Sequence, residues 1–156
     1  MDAVTRMDAV IRAARPQDGA IMRRLVFAVL TELGLPGDPD GADADLMSFG
    51  SSAVPAVTHL VAESGAEPVG CAILIPHDAR RVCLSKLVVR PDLRGVGLGR
   101  RLCQTAVRAA REDGYAEVFS ILPPMCREAA ALLESLGWLR DADRHHLPLL
   151  QPLGAR

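Results

Sequence analysis

The chain has 156 residues, a length that suits one compact domain. Hydrophobic residues make up 49% of it and aromatic residues only 3%, so we expect a core built mainly from aliphatic side chains. The formal net charge is −1 and no long run of Lys or Arg is present, which argues against a nucleic-acid partner.

The cysteines predict neither a metal site nor a disulfide framework, because they are widely spaced and form no C-x-x-C pair. They are Cys71, Cys83, Cys103 and Cys126. We expect them to be small packing residues in a reducing compartment. Charged residues interrupt the apolar start of the chain, and Arg23 and Arg24 break its longest apolar stretch. We therefore predict neither a signal peptide nor a membrane span, and a cytoplasmic location.

The chain begins with a short repetition, because Met-Asp-Ala-Val at residues 1–4 recurs at residues 7–10. The repeated unit is too short for a repeat fold, and a second in-frame start explains it better. We predict that residues 1–8 are a disordered extension, that residues 9–150 form the domain, and that residues 151–156 are a loose tail.

The first predicted elements are a strand over residues 10–14 and a helix that Pro16 opens and Gly34 ends. The segment behind them, residues 35–46, is rich in Pro and Gly and carries four carboxylates. These are Asp38, Asp40, Asp43 and Asp45. Asp43 is predicted to cap a short helix that runs to about Phe49. The carboxylates lack the downstream residues that a calcium loop requires, so no metal site is predicted.

Three strands are predicted next, over residues 57–63, 69–75 and 82–89, with a hairpin turn at residues 64–67. Pro91 ends the third strand because proline has no amide hydrogen to donate to a sheet. The sequence Arg-Gly-Val-Gly-Leu-Gly at residues 94–99 then forms a glycine-rich turn. A helical pattern begins directly behind this turn and ends at Gly114.

A strand, a glycine-rich turn and a helix N-terminus in succession favour an anionic ligand. The first amide groups of a helix have no partner within the helix, and its dipole places about half a positive charge there. Glycine lets the backbone approach a phosphate closely, and Arg94, Arg100 and Arg101 add positive charge. We expect a diphosphate group to bind at this turn.

The rest of the chain predicts a strand over residues 117–121, paired in parallel with the strand at residues 82–89. A helix follows Pro123 and Pro124 and ends at Gly137. Residues 138–140 and 145–150 are predicted to form a final hairpin, in which alternation turns only one of His145 and His146 inward.

Residues 94–99 could belong to one of three kinds of phosphate-binding turn. A Walker loop requires Gly-Lys-Ser/Thr, but Arg100 follows Gly99. A dinucleotide-binding turn requires G-x-G-x-x-G, and the glycines here have a different spacing. The sequence matches, at every fixed position, the (Gln/Arg)-x-x-Gly-x-(Gly/Ala) turn of the GCN5-related N-acetyltransferases (GNATs). The chain resembles a member of that superfamily over about residues 9–150.

The resemblance implies an α/β (α+β) fold whose single mixed central sheet is splayed between strands 4 and 5 and flanked by about four helices. It also implies acetyl-CoA as the co-substrate, without a metal. The turn residues that would hold the diphosphate are Arg94, Gly95, Val96, Gly97, Leu98, Gly99 and Arg100. The strand residues that would pair with the pantetheine arm are Leu87, Val88 and Val89.

The resemblance further implies that the acidic segment and the final hairpin border the pocket of the acetyl acceptor. The candidate acceptor-binding residues are Asp38, Asp40, Asp43 and His146. An acidic rim would attract an amine, but the same aspartates are equally explained as a solvated turn, and both interpretations stay open at this point.

The last helix departs from the family pattern. In many relatives it reads Asn-x-x-Ala-x-x-Leu-Tyr, and the Tyr protonates the leaving thiolate. Here Cys126 stands at the Asn position and Leu133 at the Tyr position. Ser120 and Cys126 are the candidate catalytic substitutes, His59 and His77 could relay a proton, and a water molecule could take this role instead.

The central strand carries a second departure. The subgroup that it resembles opens this strand with an acidic residue, and Cys83 stands there instead, which removes a candidate general base. Lys86, in the middle of the strand, is expected to pair with a nearby carboxylate.

The main hypothesis is an N-acetyltransferase that passes the acetyl group of acetyl-CoA directly to the amine of a small molecule in a ternary complex. One alternative is a non-catalytic acyl-CoA-binding module, which the missing Tyr favours. Another is a protein acetyltransferase, which would need an extended, shallow acceptor surface. Neither nucleic acid nor a membrane is expected as a partner, and a homodimer is the default expectation.

Overall fold

The computed structural model describes residues 9–51 and 56–149. The extension predicted at residues 1–8 and the tail predicted at residues 151–156 lie outside the described residues. Within them, the elements follow the predicted order of a strand, two helices, three strands, a helix, a strand, a helix and two strands.

The boundaries of the strands lie within two residues of the predicted ones. The strands are β1 (Val10–Ala13), β2 (Thr58–Ser64), β3 (Glu67–Pro76), β4 (Arg81–Val89), β5 (Glu117–Ile121), β6 (Leu139–Asp141) and β7 (Arg144–Pro148). The helices are α1 (Gly19–Glu32), α2 (Ala44–Met47), α3 (Leu98–Glu112) and α4 (Arg127–Ser135). Short 3₁₀ turns at Pro16–Asp18 and Pro91–Leu93 precede α1 and the glycine-rich turn.

The strands form one mixed sheet in the order β1-β2-β3-β4-β5-β7-β6. Neighbouring strands are antiparallel except for β4 and β5, which are parallel because α3 carries the chain across between them. This parallel pairing covers only Arg81–Cys83 of β4 and Glu117–Phe119 of β5. Beyond these residues the two strands separate, which confirms the predicted splay.

Apolar side chains pack on both faces of the sheet. Helices α3 and α4 cover one face, whose core includes Leu84, Leu102, Val118 and Leu133. Helices α1 and α2 cover the other face, whose core includes Met22, Val26, Leu46 and Ile73. Successive side chains of a strand point to opposite faces, so the splay between β4 and β5 is bordered by two different sets of side chains.

The predicted capping role of Asp43 is wrong. Asp43 directly precedes α2, but its side chain makes no capping hydrogen bond to that helix. Its Oδ2 instead accepts a hydrogen bond from the backbone N–H of Asp38 at 2.8 Å, and its Oδ1 lies 3.2 Å from Nζ of Lys86. A largely buried lysine needs a charged partner, and this requirement outweighs a local cap on a one-turn helix.

Arg12 joins β1 to the start of α1. Its guanidinium donates two hydrogen bonds to the carboxylate of Asp18, at 2.8 and 3.0 Å, and one to Glu63 at 3.0 Å. The backbone N–H of Arg15 also donates to Asp18, at 2.7 Å. The hydrogen bonds from Arg12 hold the pKa of Asp18 below its usual range, although burial opposes this shift.

The Asp18→Asn substitution should lower the free energy of unfolding by about 2 kcal/mol near pH 7, because charge-assisted hydrogen bonds to a buried carboxylate are lost. The folded pKa of Asp18 lies below its unfolded value, so this contribution is present above about pH 4 and is lost as the pH falls through the folded pKa. Urea denaturation from pH 7 to pH 2 measures both effects.

The exposed Asp92, which pairs with Arg90, is the control for this experiment. Asp92→Asn should leave the unfolding curve close to that of the wild type. A difference between wild type and Asp18→Asn that does not shrink at low pH would contradict the assigned role of the charge.

Candidate active site

The first part of the site is the splay itself. Ser120 stands where β4 and β5 stop pairing, and its Oγ donates a hydrogen bond of 2.8 Å to the carbonyl of Leu84 across the gap. Among the described residues, no strand pairs with β4 on this side beyond Cys83. The backbone edge of Leu87, Val88 and Val89 is therefore available to an extended ligand, and these three residues are only half-buried.

The glycine-rich turn connects the end of this edge to α3. Gly95 has a φ of 78° and Gly97 a φ of 90°, a left-handed backbone that favours glycine. Apart from the glycine itself and its two chain neighbours, no described residue has an atom within 4 Å of where a Cβ would stand at either position. Gly97 stands at the cap position of α3 and has no side chain. It therefore gives the first amide groups of α3 no side-chain partner. The turn therefore offers open space and backbone donors to an anion.

Gly99 serves a different purpose from the other two glycines. A Cβ there would lie 3.2 Å from Cδ2 of Leu132 and 3.8 Å from Cγ2 of Val89. The missing side chain lets α4 pack closely over the N-terminus of α3. Gly99 thus sets the distance between two helices that border the splay.

The arginines near the turn are held by other groups. Arg94 donates to Glu32 at 2.8 Å, Arg100 to the hydroxyl of Ser135 at 3.2 Å, and Arg101 to the carbonyl of Ala9 at 2.8 Å. The first and second of these contacts are exposed to solvent. The backbone and the helix dipole, rather than free guanidinium groups, are therefore the main attraction for an anion here.

A second polar group lies on the α2 side of β4. Nζ of Lys86 is 3.2 Å from Oδ1 of Asp43 and 3.1 Å from Oδ1 of Asp45, as expected for its pairing with carboxylates. Oδ2 of Asp45 accepts a hydrogen bond of 2.6 Å from Ser85. The side chains of all three charged residues are 13% exposed or less. We call Asp43, Asp45, Ser85 and Lys86 the charged cluster.

The charged cluster depends on an irregular strand. The register between β3 and β4 shifts between Cys71 and Ile73, and Lys86 adopts a left-handed φ of 49° opposite this shift. A bulge of this kind changes the direction of a side chain and interrupts strand pairing. Here it lets Lys86 reach two aspartates next to the unpaired edge of β4.

The predicted acceptor-binding residues do not all lie together in the structure. Asp43 is buried in the charged cluster, whereas Asp38 and Asp40 are exposed in the preceding turn. Asp38 stabilises that turn by accepting from the N–H of Ala42 at 3.1 Å. His146 is half-buried and stands opposite Phe119 in the β5–β7 register, so both share the sheet face of Cys83. The structure thus places Asp43 and His146 on one face but does not bring Asp38 or Asp40 to it.

The catalytic candidates Ser120 and Cys126 lie outside the charged cluster. Ser120 is 5% exposed and has its hydroxyl at the splay, whereas Cys126 directly precedes α4 and is half-buried. Burial raises the pKa of the Cys126 thiol, which keeps it protonated. Leu133 is 1% exposed and packs in the core, and the single tyrosine of the chain, Tyr115, precedes β5.

His59 and His77 are the two histidines that the sequence offers as proton relays. Nδ1 of His59 accepts a hydrogen bond of 3.2 Å from the N–H of Gly50, and burial lowers the pKa of His59 although Asp45 opposes this. His59 is therefore a neutral packing residue on the α1–α2 face. His77 is exposed and places its ring 5.3 Å from that of Phe119, edge to face.

Sequence reasoning gave no role to two features of the site. Asp45 was only one of four neighbouring aspartates, and nothing in its spacing showed that it would reach Ser85. His145 is buried rather than His146, and its Nε2 lies 2.8 Å from Oε2 of Glu134 on α4. The alternation of the final hairpin signalled that one histidine would face inward, but not which one.

None of the helices in the described ranges is long and apolar enough to span a membrane. No group of three His, Cys, Asp or Glu residues within residues 9–51 and 56–149 is arranged to hold a metal ion. The described cleft combines a strand edge, an open glycine-rich turn and a recessed charged cluster. Such a cleft suits an extended ligand that carries phosphate at one end.

The sequence matches the Acetyltransferase (GNAT) family over residues 7–138. It is 30% identical over 146 residues to the uncharacterized N-acetyltransferase YjgM of Escherichia coli K12, a similarity that covers 88% of this chain and 86% of that protein. The chain therefore belongs to the GNAT acetyltransferase family.

Solved structures have the same fold at lower sequence identity. A GNAT-family acetyltransferase from Staphylococcus aureus Mu50 has a TM-score of 0.81 at 14% identity, with 91% of this chain and 99% of that chain covered. A GNAT-family acetyltransferase from Brucella melitensis, in complex with acetyl-CoA, has a TM-score of 0.71 at 21% identity, with 92% and 89% covered. The seven-stranded mixed sheet of this protein is the GNAT fold.

Replacing Lys86 with Met should lower the free energy of unfolding by about 3 kcal/mol, because two nearly buried carboxylates lose their cation. Urea denaturation near pH 7 gives this value. Adding Asp45→Asn to the Lys86→Met variant should recover part of the loss, because one uncompensated charge is then removed.

Arg81 on the same strand provides the control, because its ion pair with Asp78 is exposed. Arg81→Met should cost at most about 1 kcal/mol. Equal losses in the Lys86 and Arg81 variants would mean that the charged cluster does not behave as a buried ion pair.

Proposed function

We propose that this protein is an N-acetyltransferase that uses acetyl-CoA and acetylates the amine of a small molecule by direct transfer in a ternary complex. The observation that carries the proposal is the continuous path from the splay, along the open edge of β4, to the left-handed turn at Gly95 and Gly97. The Brucella melitensis relative with the same fold was solved with acetyl-CoA, which supports this cofactor.

The residues of the cleft fit such a ligand. Acetyl-CoA would supply an acetyl group activated as a thioester. The N–H groups of residues 95–100 would face its diphosphate, and Arg94 and Arg100 would border it from their contacts with Glu32 and Ser135. The edge of Leu87, Val88 and Val89 would hydrogen-bond the amide-containing arm as a neighbouring strand would. Holding both substrates in this arrangement provides a large part of the rate.

We propose that the acceptor amine approaches from the α2 face. The charged cluster there contains two carboxylates and one ammonium group, so its formal charge is −1, which favours a cationic amine. Asp43 belongs to it, and His146 shares this face through its register with Phe119. Asp38 and Asp40 would act only at long range, from the exposed turn. The cluster is recessed, and this supports a small acceptor over a protein surface.

A non-catalytic acyl-CoA-binding module is the second candidate. Leu133 occupies the position at which many relatives have their proton-donating Tyr, and it is 1% exposed. The side chain of Leu133 can neither donate nor accept a proton. Ser120 and Cys126 stay our candidate substitutes, with Ser120 favoured because its hydroxyl stands at the splay.

The proposal includes a cytoplasmic protein. All four cysteines are free, and burial raises the pKa of Cys71 and Cys103 to about 12. Such thiols are packing residues and suit a reducing compartment. The homodimer expected for a domain of this type stays a prediction.

Thermal unfolding with and without acetyl-CoA tests the cofactor. Acetyl-CoA at about 100 times its Kd should add about 2.7 kcal/mol, because it binds only the folded state. For a domain of this size, this corresponds to about 5–11 °C in Tm. NADH and ATP are the controls and should give smaller shifts. No shift with acetyl-CoA would refute the proposed function, and a shift without thiol release from any amine would favour the binding module.

Gly97→Ala should weaken acetyl-CoA binding at least about 10-fold, because a methyl group would enter the open space of the turn and strain its left-handed backbone. Isothermal titration calorimetry measures the Kd. Gly114→Ala is a matched control, since Gly114 has a φ of 86° and equally open surroundings at the other end of α3. Both variants should lose about 1–2 kcal/mol of stability. Equal Kd values in the two variants would contradict the role of the turn.

A further inference from the structure

His145 is the buried titratable group that the proposed function does not yet use. It lies on β7 and is 2% exposed, and its Nε2 is 2.8 Å from Oε2 of Glu134. The side chain of Glu134 is 45% exposed, so one end of this pair reaches solvent. The other ring nitrogen, Nδ1, is buried and has no hydrogen-bond partner among the described residues.

The contact with Glu134 fixes the protons of the ring. A carboxylate oxygen only accepts hydrogen bonds, so Nε2 carries a proton and donates it to Glu134. Nδ1 then has a bare lone pair in the neutral ring and a second N–H in the imidazolium. Either form leaves a buried polar atom unsatisfied, at a cost of about 1–3 kcal/mol. An arrangement kept at this cost is a candidate for a functional role.

The position of His145 connects it to the splay. His145 stands directly opposite Ser120 in the β5–β7 register, so both side chains lie on the same face of the sheet, with Cβ atoms about 4.5–5.5 Å apart. Ser120 in turn reaches Leu84 across the gap between β4 and β5. Val118, two residues before Ser120, packs in the core with Leu133 of α4, so this is the α4 face.

We propose that His145, oriented by Glu134, supplies through Ser120 the proton that the leaving thiolate takes up. This proposal rests on the proposed function. When the amine nitrogen bonds to the acetyl carbon, the C–S bond breaks, its electron pair goes to sulfur, and the nitrogen loses one proton to water. The Ser120 hydroxyl turns from the carbonyl of Leu84, gives its proton to sulfur and receives the Nδ1 proton of the His145 imidazolium. After the products leave, a proton from solvent restores the imidazolium.

The two faces of the splay then have separate tasks. The amine would approach from the face of the charged cluster, and the proton would arrive from the face of α4. This assignment explains how the chain can do without a Tyr at Leu133. His145 is a positioning and relay residue here, because Ser120 stands between it and the reacting atoms.

The groups around His145 set the charge balance of this relay. Glu134 faces it from α4, Ser120 from β5, and Arg140 is its partner in the β6–β7 register. Arg140 is exposed and donates to the carbonyl of Ala142 at 3.3 Å. Glu134 is therefore the charged group that hydrogen-bonds His145, and it orients the ring.

The test is the pH dependence of kcat in His145→Gln, measured as thiol release from acetyl-CoA with a panel of spermidine, tyramine, glucosamine and lysine. Gln can still donate to Glu134 but cannot release a proton. We expect kcat to fall about 100-fold, the usual scale of general acid catalysis, with little change in the KM for acetyl-CoA. The wild-type fall in kcat on the alkaline side should disappear, because no protonated group remains to be titrated.

Glu134→Gln gives a second, independent reading that does not depend on how well His145→Gln folds. It should lower kcat and alter its pH profile, because the ring of His145 loses the carboxylate that orients it, and its effect should not add to that of His145→Gln. Glu128→Gln is the matched control, since Glu128 is exposed on the same helix. It should leave the profile unchanged.

The outcomes separate this inference from the proposed function. A wild-type protein that neither binds acetyl-CoA nor releases thiol would overturn the proposed function. A wild type that turns over, with His145→Gln or Glu134→Gln keeping the wild-type pH profile, would overturn only the role of His145. A lower kcat with an unchanged profile in either variant would also overturn it, because that result describes a purely structural residue.

Discussion

The early separation of β4 from β5 is the constraint on which the rest of this structure depends. Two parallel strands would normally satisfy each other's backbone groups along their whole length, but these pair only at Arg81–Cys83 and Glu117–Phe119. The remaining edge of β4 leads, through the 3₁₀ turn at Pro91–Leu93, into a turn whose left-handed glycines precede α3. A sheet that stayed closed would leave no room for a ligand between these elements.

Polar contacts lie on both faces of the sheet beside this separation. On the α2 face, Lys86 turns out of the strand at a bulge and is neutralised by Asp43 and Asp45. On the α4 face, Ser120 bonds to the carbonyl of Leu84 that β5 no longer reaches. Gly99 brings α4 against the start of α3. The Ser120 bond satisfies a carbonyl group that the separation leaves without a strand partner.

The separation of β4 from β5 leaves the space between them open to different side chains on the two faces of the sheet. An acyl group held in the plane of the sheet could be approached by an amine from one side and by a proton donor from the other. This protein has a negative cluster on the first side and the Glu134–His145 pair on the second. In the proposed mechanism, these groups would take over the task of the usual Tyr from different elements of the fold.

The sequence by itself determined the order of the elements, the parallel pairing of β4 and β5 and the family, because periodicity, proline, glycine and the turn at residues 94–99 act over short distances. It could not show that Asp43 would pair with Lys86 and not cap α2, that Asp45 would reach Ser85, or that His145 would be the buried histidine. These contacts join residues that are far apart in the chain or depend on strand register. A shift of one residue would have buried His146 instead, and only tertiary packing decides that register.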